Sequence, residues 1–184
     1  MLRLTQEEMT RQWLLLTRHE PLRADCRVTR SDGIDLETLA RTEMRMWYLG
    51  LLASAPAEWL EVSEMADDAR IEITAEGTVL VHIPAKCVRP ISVSLYGWER
   101  PASIVAPDSP AARMQTNPFS RGGICRPVAV LRPGGRELEI FSAPAPAAAR
   151  LKSLRGIADS GDDLYVFRED ALSTIQEFAN THML

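Results

Sequence analysis

The sequence is poor in the side chains that most enzymes use for proton transfer. It has only three histidines, His19, His82 and His182, among 184 residues. It also has no HExxH, GxSxG, GxGxxG or GxxxxGK[ST] pattern, so the usual signals of zinc hydrolysis, serine hydrolysis, dinucleotide binding and P-loop chemistry are missing. Each histidine has a structural interpretation, at a helix end, inside a strand and near the C-terminus. We therefore expect no catalytic residue, no cofactor and no metal.

Cysteine is scarce as well. Cys26, Cys87 and Cys125 are odd in number and far apart in sequence. This spacing excludes a disulfide framework and a CxxC redox or metal motif. We expect all three to be buried thiols.

Long apolar runs are also absent. No stretch approaches the roughly 20 apolar residues that a membrane-spanning helix needs. The N-terminus lacks the basic start, apolar run and cleavage site of a secretory signal. We expect a cytoplasmic protein with no membrane partner.

An excess of positive charge is missing, because the formal net charge is −4. Lysine is scarce as well and occurs only at positions 86 and 152. Such a chain has no general cationic field for phosphates, so nucleic acid is not expected as its primary partner. The central region nevertheless carries a group of arginines at Arg113, Arg121, Arg126, Arg132 and Arg136. Two interpretations stay open for them, a solvated strand and turn surface or a guanidinium-rich interface.

The residues that are present suit an ordinary folded domain, because 46% of them are hydrophobic. Helix signals come first. Thr5 and Glu8 form a capping-box pattern at the start of a helix that extends to about Arg18. A second helix is predicted from an N-cap at Asp35 up to Pro56.

From Arg70 the hydrophobic pattern alternates, which indicates strands. We predict one hairpin within residues 70–83, a strand over Ile91–Leu95, and a clearer hairpin from residues 127–131 and 137–141, joined by a Pro-Gly-Gly turn. Between these strands, residues 106–123 form the least regular part of the sequence, a long loop of the kind that often has a function.

The chain is predicted to close on a helix after Phe167, with an apolar stripe through Leu172, Ile175, Ala179 and Met183. The expected fold class is α+β, with N-terminal helices and a C-terminal helix packed with a central antiparallel sheet or small barrel. We assign a helical region to residues 1–66, a β-rich region to 67–167 and the closing helix to 168–184, as one structural unit.

The order of features in the last hundred residues resembles the head-to-tail adaptor, or tail tubular, proteins of short-tailed phages and of prophages in intestinal Bacteroidetes. The residues that carry the resemblance are His82-Ile-Pro84, Val88–Leu95 with Trp98, Arg121-Gly-Gly123, Arg126–Ala129, Leu138–Phe141 and Asp163–Phe167. The resemblance implies a helical bundle with a β-rich insertion that assembles as a ring between portal and tail proteins.

If the resemblance holds, function depends on contacts between proteins, and the expected contact residues are Trp98, Arg113, Arg121 and Arg126, with Trp59 as a further anchor. Trp13 and Trp47 are expected in the core. Two other hypotheses stay open: a cellular ligand-binding or regulatory module with a small pocket in the β region, and an enzyme that uses the acidic cluster at residues 159–163.

Overall fold

The computed structural model describes residues 1–17 and 36–182, with backbone alone at Leu36 and His182. The helices of this part are α1 (Gln6–Leu16), α2 (Leu36–Ser54), α3 (Pro110–Gln115) and α4 (Ser173–His182). The strands are β1 (Leu2–Thr5), β2 (Val62–Glu64), β3 (Arg70–Ile73), β4 (Val79–His82), β5 (Cys87–Leu95), β6 (Ser103–Val105), β7 (Val128–Leu131), β8 (Glu137–Ile140), β9 (Leu151–Ala158) and β10 (Leu164–Phe167). The α+β class is confirmed.

The chain divides into two compact units. The first unit comprises Met1–Glu61 and Asp159–Leu184, and the second comprises Val62–Ala158. The boundaries therefore differ from the expected 66/67 and 167/168. The main cause is β10, which pairs antiparallel with β1 and so belongs to the first unit, where each strand satisfies the backbone hydrogen-bonding groups of the other.

The first unit begins with the predicted capping box. The Thr5 hydroxyl accepts a hydrogen bond from the Glu8 backbone N–H at 3.3 Å, and the Glu8 carboxylate accepts one from the Thr5 backbone N–H at 2.9 Å. These bonds satisfy donors that the first turn of α1 leaves without helical partners. The predicted helix start is confirmed. The predicted N-cap Asp35 lies outside the described residues, as do His19, Cys26 and Met183.

An aromatic cluster forms the core of the first unit. The rings of Trp13 and Trp47 lie 6.0 Å apart, and Phe167 meets Trp47 edge to face at 5.5 Å. Phe178 of α4 contacts Trp13 at 6.0 Å, so the closing helix packs on the N-terminal helices. The indoles of Trp13 and Trp47 are 1% and 3% exposed, which confirms their predicted place in the core.

The second unit contains two sheets, ordered β3-β4-β8-β7-β6 and β2-β9-β5. Both predicted hairpins are present, as the antiparallel pairs β3–β4 and β7–β8. The edge strand β6 pairs parallel to β7, so the larger sheet is mixed and not purely antiparallel. Buried side chains from both sheets form one core, including Val81, Leu138 and Val93.

Glu64, at the end of β2, ties that strand to β9. Its carboxylate accepts hydrogen bonds from the Ser153 hydroxyl at 2.6 Å and from the Leu154 backbone N–H at 2.7 Å. It also accepts from the backbone N–H groups of Met65 and Ala66, each at 3.1 Å. Partial burial raises the pKa of Glu64, but these hydrogen bonds outweigh that effect and hold the pKa below its usual 4.5.

We expect Glu64→Gln to lower the free energy of unfolding at pH 7 by about 1 kcal/mol, after allowance for solvent screening. A lowered folded-state pKa contributes stability that is full above the ordinary pKa and is lost as the pH falls through the folded-state pKa. The difference in the free energy of unfolding between wild type and variant should therefore become smaller in acid. Urea denaturation from pH 7 to pH 3 checks this, with Glu76→Gln in an exposed turn as control. A gap that widened in acid would contradict the assignment.

Candidate protein-contact surfaces

The 106–126 segment connects β6 to β7 and contains α3, where the sequence predicted an irregular loop. Ser109 and Pro110 explain the difference, because they supply the N-cap and the first residue of a helix. The Ser109 hydroxyl accepts a hydrogen bond from the Ala112 backbone N–H at 3.2 Å. The segment is thus a built structure with its own internal hydrogen bonds.

Arg121 fixes this segment to the second unit. Its guanidinium donates hydrogen bonds to the backbone carbonyls of Gln115 at 2.6 Å and Phe141 at 3.0 Å. The same group lies 5.6 Å from the centre of the Phe141 ring, within cation–π range. Arg121 was predicted as a contact residue, but the structure uses its guanidinium to hold the segment in shape.

The turn after Arg121 requires glycine. A Cβ on Gly122 would lie 2.2 Å from the backbone carbonyl oxygen of Arg126. That turn is closed by a 3.1 Å hydrogen bond from the Arg126 backbone N–H to the Gly122 carbonyl. The guanidinium of Arg100 also donates to the Cys125 carbonyl at 2.5 Å, which anchors the end of the segment.

The held segment displays apolar side chains to solvent. Phe119 is 99% exposed, Met114 51% and Ile124 42%. Two of the predicted contact residues, Arg113 and Arg126, are exposed on the same segment. Aromatic, methionine and arginine side chains are the types enriched at protein interfaces. We call Met114, Phe119 and Ile124 with these two arginines the exposed tip.

Trp98 does not belong to this surface. It is 6% exposed and packs in the core of the second unit. Its indole N–H donates to the Ser142 carbonyl at 3.1 Å, so the polar edge of the ring is satisfied internally. Its prediction as a contact residue is wrong, because the turn that follows β5 directs the ring inward.

The first unit has a groove of about 400 Å³ beside the C-terminal end of α2. Its lining includes the aromatic side chains of Trp47, Trp59 and Phe178 together with the Glu177 carboxylate. Trp59 is half-buried and was singled out from the sequence, whereas Glu177 and Phe178 were not. The apolar stripe predicted for the closing helix, through Leu172, Ile175, Ala179 and Met183, did not include these two residues.

The acidic cluster at residues 159–163 is engaged in ion pairs. Arg45 makes a two-pronged contact with the Asp159 carboxylate and a 2.8 Å ion pair with Asp162. The Asp159 hydrogen bond raises the pKa of Arg45, against partial burial. Across residues 1–17 and 36–182 no group of three or more His, Cys, Asp or Glu side chains is placed to hold a metal ion.

Three further titratable residues, His82, Cys87 and Cys125, also have specific surroundings. His82 lies between two carboxylates, 3.1 Å from Glu72 and 3.4 Å from Glu137. Burial raises the pKa of the Cys87 thiol. Cys125 is exposed, so its prediction as a buried thiol is wrong; its hydrogen bond to Glu99 raises the pKa of its thiol.

The two units differ in charge. Sixteen acidic and nine basic residues give the first unit a formal charge of −7, whereas nine acidic and twelve basic residues give the second +3. The modest total of −4 therefore hides a strong asymmetry. The formal charges of the two units therefore have opposite signs.

No family model matches the chain, and no curated protein matches it. Of the helices that the structure describes, none combines the length and the apolar character needed to cross a membrane.

Proposed function

We propose that this chain is a non-enzymatic structural protein that works through protein contacts, as a head-to-tail connector of a phage or prophage particle. Its partners would be further copies of itself and the adjacent portal or tail proteins. It would reside in the virion and, before assembly, in the cytoplasm. This proposal joins the sequence resemblance to the exposed tip of the 106–126 segment.

The observation that carries the proposal is the display of a 99% exposed phenylalanine on a segment with a fixed backbone. A segment that is already ordered loses little conformational entropy when it binds, so its apolar contacts translate efficiently into affinity. The hydrogen bonds of Arg121 and Arg100 supply this order. A large aromatic ring in water has no role in the stability of the chain itself, which favours a role in contact.

The enzyme hypothesis gains no support from the acidic cluster. Asp159 and Asp162 are both paired with Arg45, and Asp159 also accepts a hydrogen bond from the Gly161 backbone N–H at 3.0 Å. Carboxylates held in this way are suited to fixing the chain between α2 and β10.

A ligand-binding module is the second candidate, and the groove beside α2 favours it. A volume of about 400 Å³ lies within the range of small-molecule sites. This groove is in the first unit, whereas the hypothesis from the sequence expects a pocket in the β region. A monomeric chain whose melting temperature rises with a small molecule would support this alternative.

The connector proposal predicts that the exposed tip drives self-association. We expect Phe119→Asp to weaken association about 30-fold or more, as for a central hot-spot residue, because a charge replaces the apolar contact. Sedimentation velocity at low and high protein concentration measures this effect. Tyr96→Asp is the matched control, since Tyr96 is 61% exposed elsewhere in the second unit.

The control variant should sediment like wild type, and circular dichroism should show that both variants are folded. Equal association of wild type and Phe119→Asp would contradict the proposed role of the tip. The genes beside its own are a second readout, because portal and tail genes are expected there and metabolic genes are not.

A further inference from the structure

The groove beside α2 can accept hydrogen bonds but has little to donate. Three hydroxyl groups line it, those of Ser54, Thr174 and Thr181. Each donates its single hydrogen to a nearby backbone carbonyl, at 2.8, 2.8 and 2.9 Å respectively. A hydroxyl whose hydrogen is committed can only accept from a ligand. The groove therefore suits a ligand that is rich in donors.

The charges around the groove favour a cation. Glu177 is the charged side chain in its lining. The last turn of α2 contains no basic residue, so the partial negative charge at the C-terminal end of that helix is not balanced there. The indole N–H of Trp47 donates a hydrogen bond to the Thr174 hydroxyl oxygen at 3.0 Å, so this donor is already engaged within the protein. A positively charged donor would be stabilised by the Glu177 carboxylate and by the C-terminal end of α2.

The aromatic lining narrows the kind of cation. The lining includes the aromatic rings of Trp59 and Phe178. A planar guanidinium stacks on aromatic rings better than an ammonium group does. A guanidinium also brings five N–H donors for the carboxylate and the hydroxyl acceptors. An arginine side chain beside an apolar group fits this lining in shape and in charge.

We propose that the groove of one copy binds the 106–126 segment of a second copy, with the Arg113 guanidinium placed between Trp59 and Glu177. Arg113 is exposed at the end of α3, next to Met114 and on the same segment as Phe119. The charges of −7 and +3 on the two units are complementary across this contact. The inference rests on the proposed function and names the surface that the exposed tip meets.

This contact joins two different surfaces, the groove of one copy and the segment of another. After the first contact, one copy retains an unused segment and the other retains an unused groove. Repetition of such a contact gives a ring where the rotation closes and a filament where it does not. A contact between the 106–126 segments of two copies would instead leave the groove empty.

A charge exchange tests the pairing. We expect Arg113→Glu and Glu177→Arg each to weaken self-association about 10- to 100-fold, because each places like charges together in the contact. The double variant R113E/E177R restores opposite charges and should recover most of the wild-type association. Sedimentation velocity in low and high salt measures the three variants, and wild-type association should weaken as salt screens the pair.

Two single charge reversals at exposed positions serve as controls. Arg150→Glu matches Arg113→Glu in the second unit, and Asp163→Arg matches Glu177→Arg in the first. Both should associate like wild type. Glu177 is itself exposed, so its reversal should leave the fold intact, which circular dichroism checks.

The possible failures are distinguishable. If Phe119→Asp abolishes association while Arg113→Glu and Glu177→Arg do not, the groove pairing is wrong and the proposed function stands. If both single variants lose self-association and the double variant R113E/E177R does not recover it, the proposed pairing is also wrong. A wild-type chain that stays monomeric at every concentration overturns the pairing and removes the self-association from the proposed function.

Discussion

Replacement of Phe167 by alanine is expected to lower the free energy of unfolding by about 3–5 kcal/mol. Phe167 is fully buried, and its ring contacts Trp47 at 5.5 Å and Tyr48 at 6.2 Å. Alanine would remove the centre of the aromatic cluster and leave a cavity. Since domains are stable by only about 5–15 kcal/mol, this one change would bring the first unit close to unfolding. Guanidinium denaturation followed by tryptophan fluorescence measures the loss.

The chain offers a matched control in Phe119. The substitution Phe119→Ala removes the same atoms from a side chain that is 99% exposed. It should change the free energy of unfolding by less than about 0.5 kcal/mol, as for other surface substitutions. Equal losses in the two variants would contradict the placement of these two phenylalanines.

The second large effect is expected at Gly156 in β9. A Cβ there would lie 2.7 Å from the Cys87 sulfur and 3.0 Å from the Arg89 carbonyl oxygen on the paired strand β5. We expect Gly156→Ala to cost about 1–3 kcal/mol, the usual range for an overpacked core. The cost arises because a paired strand cannot move away without loss of its hydrogen bonds. Thermal denaturation of the purified variant measures it.

A double variant separates this clash from a general loss of packing. Cys87→Ala removes the sulfur that the new methyl group would meet, so G156A/C87A should lose less stability than the sum of the two single changes. Gly50→Ala is the control for the substitution itself. It places a Cβ in open space on an exposed turn of α2, where alanine should stabilise the helix slightly. Additive losses at 156 and 87 would refute the predicted contact.

Local signals in the sequence predicted much of the fold. The capping box at Thr5 and Glu8 and the hairpin turns act over a few residues, so their chemistry can be recognised in the sequence alone. The pairing of β1 with β10 joins residues about 160 positions apart, and no local pattern indicates it. Because of this pairing, β10 belongs to the first unit, and the boundary between the units differs from the predicted one.

The candidate contact surface was predicted in part. The sequence predicted a functional loop over residues 106–123 and arginines as contact residues, because it shows a long irregular stretch that contains several arginines. It could not separate Arg113, which is exposed, from Arg121, which is bound to the carbonyls of Gln115 and Phe141. Nor could it distinguish a buried Trp98 from a half-buried Trp59, since burial depends on the tertiary neighbours of each ring.

The exposed tip and the groove together give the chain two surfaces that need partners. The most direct test of this account is the molar mass of the purified wild-type chain by light scattering at increasing concentration. We expect the mass to rise from the 20.5 kDa of one chain to a plateau at a fixed multiple of that value, as a closed assembly requires. A mass of 20.5 kDa at every concentration would contradict the account.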